Sequence, residues 1–304
     1  MEAIWALVAL GALGGLARAA VWGAEQPMDG AARNAAPGQF VGLSDGVTHY
    51  QLEGPEDGPV ILCIHGLTTP SFVFDAMVPG LVAGGYRVLR YDLYGRGFSD
   101  RPKRAYDVHR FTGQAIELLD ALKIDGPVTV LGYSMGGAVA TALTQAHGAR
   151  VERLVLLAPG GLGHDLGRFS ELCAAVPVLG DWAFATLGGW VLRRDAGNAP
   201  DTAGAVQDLT ARIQAETRGR GYMRGVLSSL RHMLSVDQAG THAALAQSGV
   251  PVTAIWGAAD TVIPLQAMDR LARANPSARQ EVIEGAGHDL PSGHSAEVLR
   301  LLFG

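Results

Sequence analysis

The sequence predicts an α/β protein built on a doubly wound, mostly parallel β-sheet with a helical cap insertion. Two observations favour this class. Short apolar runs alternate with helical patterns in the first half and at the end of the chain, and the region between shows helical patterns alone. The 304 residues suffice for one large domain with an insertion. With 48% hydrophobic and 17% charged residues, the composition supports a sizeable core.

Composition and charge narrow the function classes. The net charge is −5, and the basic residues do not cluster on one predicted helix, so we expect no nucleic-acid partner. Only two cysteines occur, Cys63 in an apolar strand and Cys173 in a helical stretch, which argues against a disulfide framework. No zinc-type Cys/His spacing and no phosphate- or dinucleotide-binding fingerprint is present. We therefore expect chemistry without a metal or cofactor.

The N-terminal segment is strongly apolar. Residues 3–17 carry no charge, and Arg18 follows them. As a helix this run spans about 22 Å, which is short of a bilayer core, but it reaches about 20 residues if Arg18 extends to the interface and Trp22 lies there. Membrane association through residues 3–22 is one expectation, giving an anchored protein. Residues 17–19 also resemble a cleavage site, giving an exported one. The alternative is a docked helix, which would leave the protein cytoplasmic.

Turn residues and apolar runs place the elements of the core in order. A Ser-Asp-Gly turn at residues 44–46 separates two strand patterns, which predicts a hairpin. The next strand, 60–64, is a continuous apolar run of the kind buried in a parallel sheet. Further strands are predicted at 87–91, 128–131, 151–157, 252–256 and 280–283, and helices near 72–83, 107–122, 136–146, 265–274 and 296–303.

The alternation stops in the middle of the chain. Residues 162–245 contain helical patterns without a clear strand, at 172–192 (broken at Pro177), 202–217 and 223–234. This predicts a helical cap over the carboxyl ends of the strands, where ligands bind in open α/β sheets. The predicted division is an apolar anchor or signal at 1–23, a linker at 24–38, an α/β core in two parts at 39–161 and 246–304, and the cap at 162–245.

One stretch of the cap is more apolar than a single helix face requires. Two interpretations stay open: a cap core packed on the sheet, or the lining of an acyl pocket. The residues of this stretch are Leu172, Val176, Val178, Leu179, Trp182, Phe184, Leu187, Trp190, Val191 and Leu192.

The chemistry is centred on Ser134. The sequence Gly-Tyr-Ser-Met-Gly at 132–136 follows an apolar strand and precedes a helix start of small residues. This is the context of a nucleophile elbow, in which a serine sits on a sharp strand-to-helix turn. Gly132 and Gly136 are required because side chains at these positions would collide. Ser134 is therefore predicted to adopt a strained backbone conformation with its Oγ directed out of the sheet.

A serine hydroxyl needs a base, and the base needs a carboxylate. His288 stands in a glycine-flanked loop after the last predicted strand, and His294 is the second choice because it lies closer to the final helix. Asp260 follows the penultimate strand. These loops share the rim of the sheet with Ser134, so we predict a catalytic triad of Ser134, Asp260 and His288.

Two backbone N–H groups are expected to bind the developing oxyanion. They are those of Met135, directly after the serine, and Leu67, in the loop after the strand at 60–64. His65 in that loop is expected to be structural. In the loop at 92–100, Arg96 is expected to pair with a carboxylate and to support the site without reacting.

These motifs together resemble the α/β-hydrolase superfamily and, within it, the branch of lipases, esterases and C–C hydrolases that includes monoacylglycerol lipases. The resemblance covers residues 39–304 and rests on 65–66, 92–99, 132–137, 256–260 and 287–288. It implies the fold, the Ser-Asp-His roles, a helical cap and no cofactor. The related dehalogenases and epoxide hydrolases carry an aspartate where this chain has Ser134.

The leading functional expectation is a serine hydrolase that cleaves small-molecule carboxylic esters through an acyl-enzyme on Ser134, as an esterase or a monoacylglycerol-type lipase. A C–C bond hydrolase or a cofactor-free perhydrolase would use the same triad. A non-catalytic ligand-binding receptor on this scaffold is the third alternative, because one fold hosts many functions.

Overall fold

A computed structural model describes residues 2–34, 36–198, 206 and 208–303 of the chain. In these residues eight strands form one sheet in the order β1-β2-β4-β3-β5-β6-β7-β8. The strand β2 pairs antiparallel with β1 and β4, and the remaining pairs are parallel. The strands are β1 Gln39–Leu43, β2 Gly46–Glu53, β3 Val60–Ile64, β4 Arg87–Tyr91, β5 Val128–Tyr133, β6 Val151–Leu157, β7 Val252–Gly257 and β8 Arg279–Ile283. The predicted fold class is confirmed.

Helices cover the sheet and form the insertion. In chain order they are α1 Glu2–Ala24, α2 Gly30–Asn34, α3 Val78–Ala83, α4 Val108–Ala121, α5 Met135–Ala146, α6 Arg168–Ala175, α7 Leu179–Asn198, α8 Leu209–Glu216, α9 Tyr222–His232, α10 Ala239–Leu245, α11 Gln266–Ala274, α12 Leu290–Gly293 and α13 Ser295–Phe303. The helix predicted at 72–83 is instead a 3-10 turn, Ser71–Phe74, followed by α3. Pro79 lies in the first turn of α3, where a missing N–H costs least, so a new helix begins there.

The sheet places the loops that matter at one edge. Every residue of β5 is buried, and α5 packs on β3, β5 and β6. Because β3, β5, β7 and β8 run parallel, their carboxyl ends meet at the same rim. The loops after these strands carry Leu67, Ser134, Asp260 and His288.

The insertion between β6 and β7 consists of helices, and the predicted break at Pro177 separates α6 from α7. Of the helix predicted at 202–217, residues 202–205 and 207 lie outside the described residues, and α8 begins at Leu209. The helix α10 was not predicted, because Gly240 and Thr241 are weak helix formers and mask the pattern.

The helix α1 lies against α7 of the cap. The indole Nε1 of Trp182 donates to the Gly14 carbonyl at 3.3 Å. Gly14, Arg18 and Val21 are less exposed than most of the residues around them, at the spacing of one helical stripe. Among the described residues, no helix is long and apolar enough to cross a membrane. The segment interpreted as a linker contacts the cap, because Gln26 exchanges two backbone hydrogen bonds with Arg218 and Arg220.

The apolar stretch of the cap divides between the core and the surface. Phe184 is buried and stacks on Phe169. Leu192 packs against the core, whereas seven of the ten side chains are exposed, by 37% to 77%: Leu172, Val176, Val178, Leu179, Trp182, Leu187 and Trp190. The buried side of α7 is occupied by Gly180, Phe184 and Gly188, which turns the larger residues outward.

Candidate active site

Ser134 lies between β5 and α5 in a conformation that non-glycine residues rarely adopt, with φ 54° and ψ −121°. The glycines around it allow this turn. A Cβ at Gly132 would collide with the carbonyl oxygen of Gly136, and a Cβ at Gly136 would collide with that of Ile64. The elbow therefore holds the Ser134 side chain at the rim of the sheet, half-buried and accessible.

The imidazole of His288 connects the other two predicted residues. Its Nε2 lies 2.9 Å from Ser134 Oγ, and its Nδ1 lies 2.7 Å from Asp260 Oδ2. The Tyr133 hydroxyl donates to the His288 carbonyl and fixes the loop. The structure thus brings Ser134, His288 and Asp260 into one hydrogen-bonded line.

The Asp260 carboxylate is fully buried and held on both oxygens. Its Oδ1 accepts the backbone N–H groups of Val262 and Ile263, each at 2.8 Å. Its Oδ2 is left for His288 Nδ1. A carboxylate on Nδ1 favours the tautomer whose Nε2 is unprotonated, and this nitrogen faces the Ser134 hydroxyl.

The loop after β3 lies directly beside the serine. A Cβ at Gly66 would lie 3.3 Å from Ser134 Cβ. Within the part of the chain that the structure describes, the N–H groups of Leu67 and Met135 have no hydrogen-bond acceptor. The two donors predicted for the oxyanion therefore belong to the residue that follows Ser134 and to the loop beside it, and both are unused.

Two side chains donate hydrogen bonds to carbonyl groups of this loop. Arg96 Nε donates to the Leu67 carbonyl at 2.9 Å, and the Tyr222 hydroxyl donates to the Thr68 carbonyl at 2.8 Å. His65 Nε2 accepts a hydrogen bond from the Leu93 N–H at 2.9 Å. Burial lowers the pKa of His65 to about 4, so this ring stays neutral and serves the loop structurally.

Arg96 pairs with no carboxylate among the described residues, which corrects the sequence-based expectation. Its guanidinium is fully buried and donates to two backbone carbonyls and to Ser229 Oγ, the last at 2.9 Å. Burial lowers the pKa of Arg96 to about 10. Ser229 and Tyr222 both belong to α9, so this cap helix is tied to the loop beside Ser134. Sequence reasoning missed both residues, because they lie more than 130 positions from their partners and belong to no motif.

A second buried network supports the loop at 92–100. Asp92 accepts from His49 Nδ1 at 2.8 Å and from Ser71 Oγ at 2.6 Å. Burial acts to raise the pKa of Asp92, but the hydrogen bond and charge of His49 outweigh it and lower the pKa to about 2. His49 was not singled out from the sequence, where it is one of nine histidines in an ordinary strand pattern.

The remaining sequence-based expectations concern the second candidate for the base and the possibility of a metal site. His294, the second choice for the base, lies 3.7 Å from Glu297 at the start of the final helix. Among the described residues, no group of three or more His, Cys, Asp or Glu side chains is arranged to hold a metal ion.

With this geometry in place, comparison with known proteins defines the class. The family model described as alpha/beta hydrolase fold matches residues 59–294, which is more than half of the chain. The protein therefore belongs to the α/β-hydrolase fold family, as its motifs predicted.

Three similar proteins carry different names. A 2-hydroxy-6-oxononadienedioate/2-hydroxy-6-oxononatrienedioate hydrolase from Cupriavidus pinatubonensis is 29% identical over 271 residues, which cover 84% of this chain and 90% of the relative. The solved enol-lactonase from Burkholderia xenovorans LB400 is 23% identical with a TM-score of 0.74, covering 87% of this chain and 98% of its own. A thermophilic esterase from Thermogutta terrifontis is 20% identical with a TM-score of 0.72, covering 87% and 97%. The two structural likenesses show the fold.

Proposed function

We propose that the protein is a serine hydrolase that cleaves small-molecule carboxylic esters through an acyl-enzyme on Ser134. The observation that carries this proposal is the placement of His288, with Nε2 at 2.9 Å from Ser134 Oγ and Nδ1 at 2.7 Å from Asp260. A base that contacts the nucleophile and is itself oriented by a third group is the arrangement that activates a hydroxyl.

The first half of the proposed reaction is the acylation of Ser134. Ser134 Oγ attacks the ester carbonyl carbon while His288 Nε2 takes its proton. The carbonyl oxygen becomes an oxyanion, which accepts the N–H groups of Leu67 and Met135. Asp260 stabilises the imidazolium. His288 then returns the proton to the leaving alcohol as the C–O bond breaks, which leaves the acyl group on Ser134.

Deacylation repeats these steps with water. His288 Nε2 takes a proton from a water molecule as the water oxygen attacks the acyl carbon, and the same two N–H groups bind the second oxyanion. Collapse of this intermediate transfers the proton back to Ser134 Oγ and releases the carboxylic acid. All catalytic groups are supplied by the chain, and each returns to its starting protonation state at the end of the cycle.

Cleavage of a C–C bond is the second candidate. The relative from Cupriavidus pinatubonensis is named for a 2-hydroxy-6-oxo dienedioate and aligns with 84% of this chain. The carbonyl carbon of a ketone, like that of an ester, can be attacked by Ser134 Oγ or by a water molecule that His288 activates. The N–H groups of Leu67 and Met135 would bind the oxyanion in both reactions. The triad geometry supports the two reactions equally. They differ in the leaving group, which is an alcohol in ester cleavage and a carbon fragment in C–C cleavage.

The test is turnover of nitrophenyl esters from acetyl to dodecanoyl, of a monoacylglycerol, and of a 2-hydroxy-6-oxo dienoic acid. We expect ester turnover by the wild type and a loss on the order of 10³ or more in Ser134→Ala. Turnover of the dienoic acid alone would favour the second candidate. Turnover of none of these substrates by the folded wild type would contradict both and leave a ligand-binding protein. A preference that rises with chain length would identify a lipase-like enzyme.

A further inference from the structure

One side of the molecule carries an unusual amount of exposed apolar surface. Of the fourteen large apolar side chains that are exposed in the described residues, eleven lie on α1 or on residues 172–190. We call this surface the apolar face. It consists of the seven exposed cap residues named above together with Trp5, Leu13, Leu16 and Trp22. A surface exposed only to water seldom concentrates its apolar side chains in this way, so the apolar face indicates a binding surface.

The two parts of the apolar face are continuous. Trp182 of α7 contacts Gly14 of α1, and further along both helices Val21 and Ala24 line the same cleft as Arg193. The helices therefore run side by side in the same direction. The stripe of α1 that includes Gly14 and Val21 faces α7, and the described residues on the other sides of α1 are exposed next to the exposed residues of α7.

The turn between α6 and α7 forms the most exposed part of this surface. Val178 has φ 66°, a left-handed conformation that β-branched residues avoid, and its side chain is 77% exposed. Leu179 beside it is 70% exposed. Asp181 accepts the Val178 N–H at 2.8 Å and stabilises the turn. A strained backbone thus presents two aliphatic side chains to the surroundings.

Tryptophan and arginine border the apolar residues at the carboxyl ends of α1 and α7. The guanidinium groups of Arg18 and Arg220 lie over the ring of Trp22, at 5.3 and 4.9 Å, and that of Arg194 lies over Trp190 at 5.2 Å. Arg193 and Arg218 line the adjacent cleft. Only two carboxylates pair with this group in the described residues, Glu25 with Arg18 and Asp195 with Arg194. The border is therefore positively charged.

We propose that the apolar face docks on a phospholipid bilayer surface, with the α6–α7 turn and the exposed side of α1 among the acyl chains. The Trp and Arg border would then lie at the level of the headgroups, where indole rings partition and guanidinium groups bind phosphate. The charge of the border complements anionic lipids. Four of the five tryptophans in the chain lie on this face, and only Trp256 lies in the core.

This docking surface is separate from the proposed chemistry. The helix α9 lies between α7 and the loop beside Ser134, and neither α1 nor residues 172–190 supply a group to the triad. Lipid binding is therefore measurable whether or not the protein hydrolyses esters, and failure of one proposal leaves the other standing.

The experiment is co-sedimentation of the full chain with vesicles of phosphatidylcholine, with and without roughly one third phosphatidylglycerol. We expect binding to both and tighter binding to the anionic vesicles. The double variant Leu172→Glu/Leu179→Glu should lower the partition coefficient by about tenfold or more, because it places two charges among the acyl chains. Arg194→Gln/Arg218→Gln should remove most of the preference for anionic vesicles.

The matched control is Val236→Glu/Leu265→Glu, which adds the same charge at exposed apolar residues outside the apolar face. It should bind vesicles as the wild type does, and all variants should melt at the wild-type temperature, since each side chain is exposed. Absence of vesicle binding by the wild type would overturn the proposal. So would an oligomer that Leu172→Glu/Leu179→Glu dissociates without changing vesicle binding, because the face would then join copies of the chain.

Discussion

Ser134 keeps a strained backbone because its neighbours leave no alternative. The turn between β5 and α5 brings Gly132 against Gly136, and Gly136 against the carbonyl groups of Ile64 and His65. Such close backbone contact excludes any side chain at either glycine. The strain is therefore maintained by packing of the sheet and of α5, and it directs Oγ toward His288.

Gly136→Ala should destabilise the protein by about 2 kcal/mol or more, since its Cβ would overlap backbone atoms that cannot move aside. Gly113→Ala in α4 is the matched control. Its Cβ would meet no atom within 4 Å, and alanine should stabilise the helix by roughly 0.5 to 1 kcal/mol. Urea unfolding monitors both variants. Equal effects of the two substitutions would contradict the packing argument.

His288 is the proposed base for the serine proton, and a neutral amide cannot take its place. His288→Gln should therefore lower kcat/KM on the order of 10³. His294→Gln should leave kcat/KM unchanged, because His294 faces Glu297. The measurement is the rate of ester hydrolysis by the three proteins. Wild-type activity in folded His288→Gln would assign the base elsewhere.

At the scale of elements, the cap and the core meet behind the oxyanion loop. The helix α9 reaches this loop directly through Tyr222 and indirectly through Ser229, which accepts from Arg96. Arg96 in turn holds the Leu67 carbonyl. A carbonyl fixed on one side of a peptide orients its neighbouring N–H groups, so the position of α9 is expected to govern how well the loop binds an oxyanion.

Arg96→Lys tests this positioning role, because lysine keeps the charge but loses the planar set of donors. We expect kcat to fall about tenfold or more while KM changes little, as a transition-state interaction is weakened. Arg110→Lys is the control: Arg110 is similarly buried and also donates to a carbonyl, that of Ala105, away from Ser134. A fall in stability without a change in kcat of the folded Arg96→Lys protein would reduce Arg96 to a structural residue.

The core elements were predictable because each carries its own local signal. The strands at 60–64, 87–91 and 151–157 are apolar runs whose predicted bounds agree with β3, β4 and β6. Ser134, Asp260 and His288 were found because each follows a strand at the same rim, and their mutual distances follow from the parallel sheet. Their catalytic roles stay a prediction.

The supporting contacts were not predictable in the same way. Arg96 was noticed, but its partners are backbone carbonyls and a cap serine, which no sequence spacing reveals. The apolar stretch at 172–192 was visible, yet apolarity does not say which way a side chain points. The small residues Gly180 and Gly188 on the inner side of α7 decided that.

At the scale of the whole molecule, Glu216 joins the cap to the core. Its Oε2 accepts the Gly97 N–H at 3.0 Å and lies 3.9 Å from Arg101. Burial raises the pKa of Glu216 from its ordinary 4.5 to about 7, which outweighs the attraction of Arg101. Between these pH values the folded protein binds a proton that the unfolded chain releases. This contribution to stability is complete below pH 4.5 and is lost as the pH rises through about 7.

Glu216→Gln removes this titration. Relative to the variant, the wild type should lose on the order of 3 kcal/mol of unfolding free energy between pH 4.5 and about pH 8. Urea unfolding of both proteins across this range measures the difference. Parallel pH curves would show that Glu216 has the same pKa in the folded and unfolded chain.

Covalent labelling tests most directly whether Ser134 is an activated nucleophile. The full chain is treated with a fluorophosphonate, and the adduct is located by mass spectrometry of its peptides. We predict one adduct, on the peptide that contains Ser134, and none in folded Ser134→Ala. An unlabelled wild type, or an adduct on another serine that persists in Ser134→Ala, would contradict the claim.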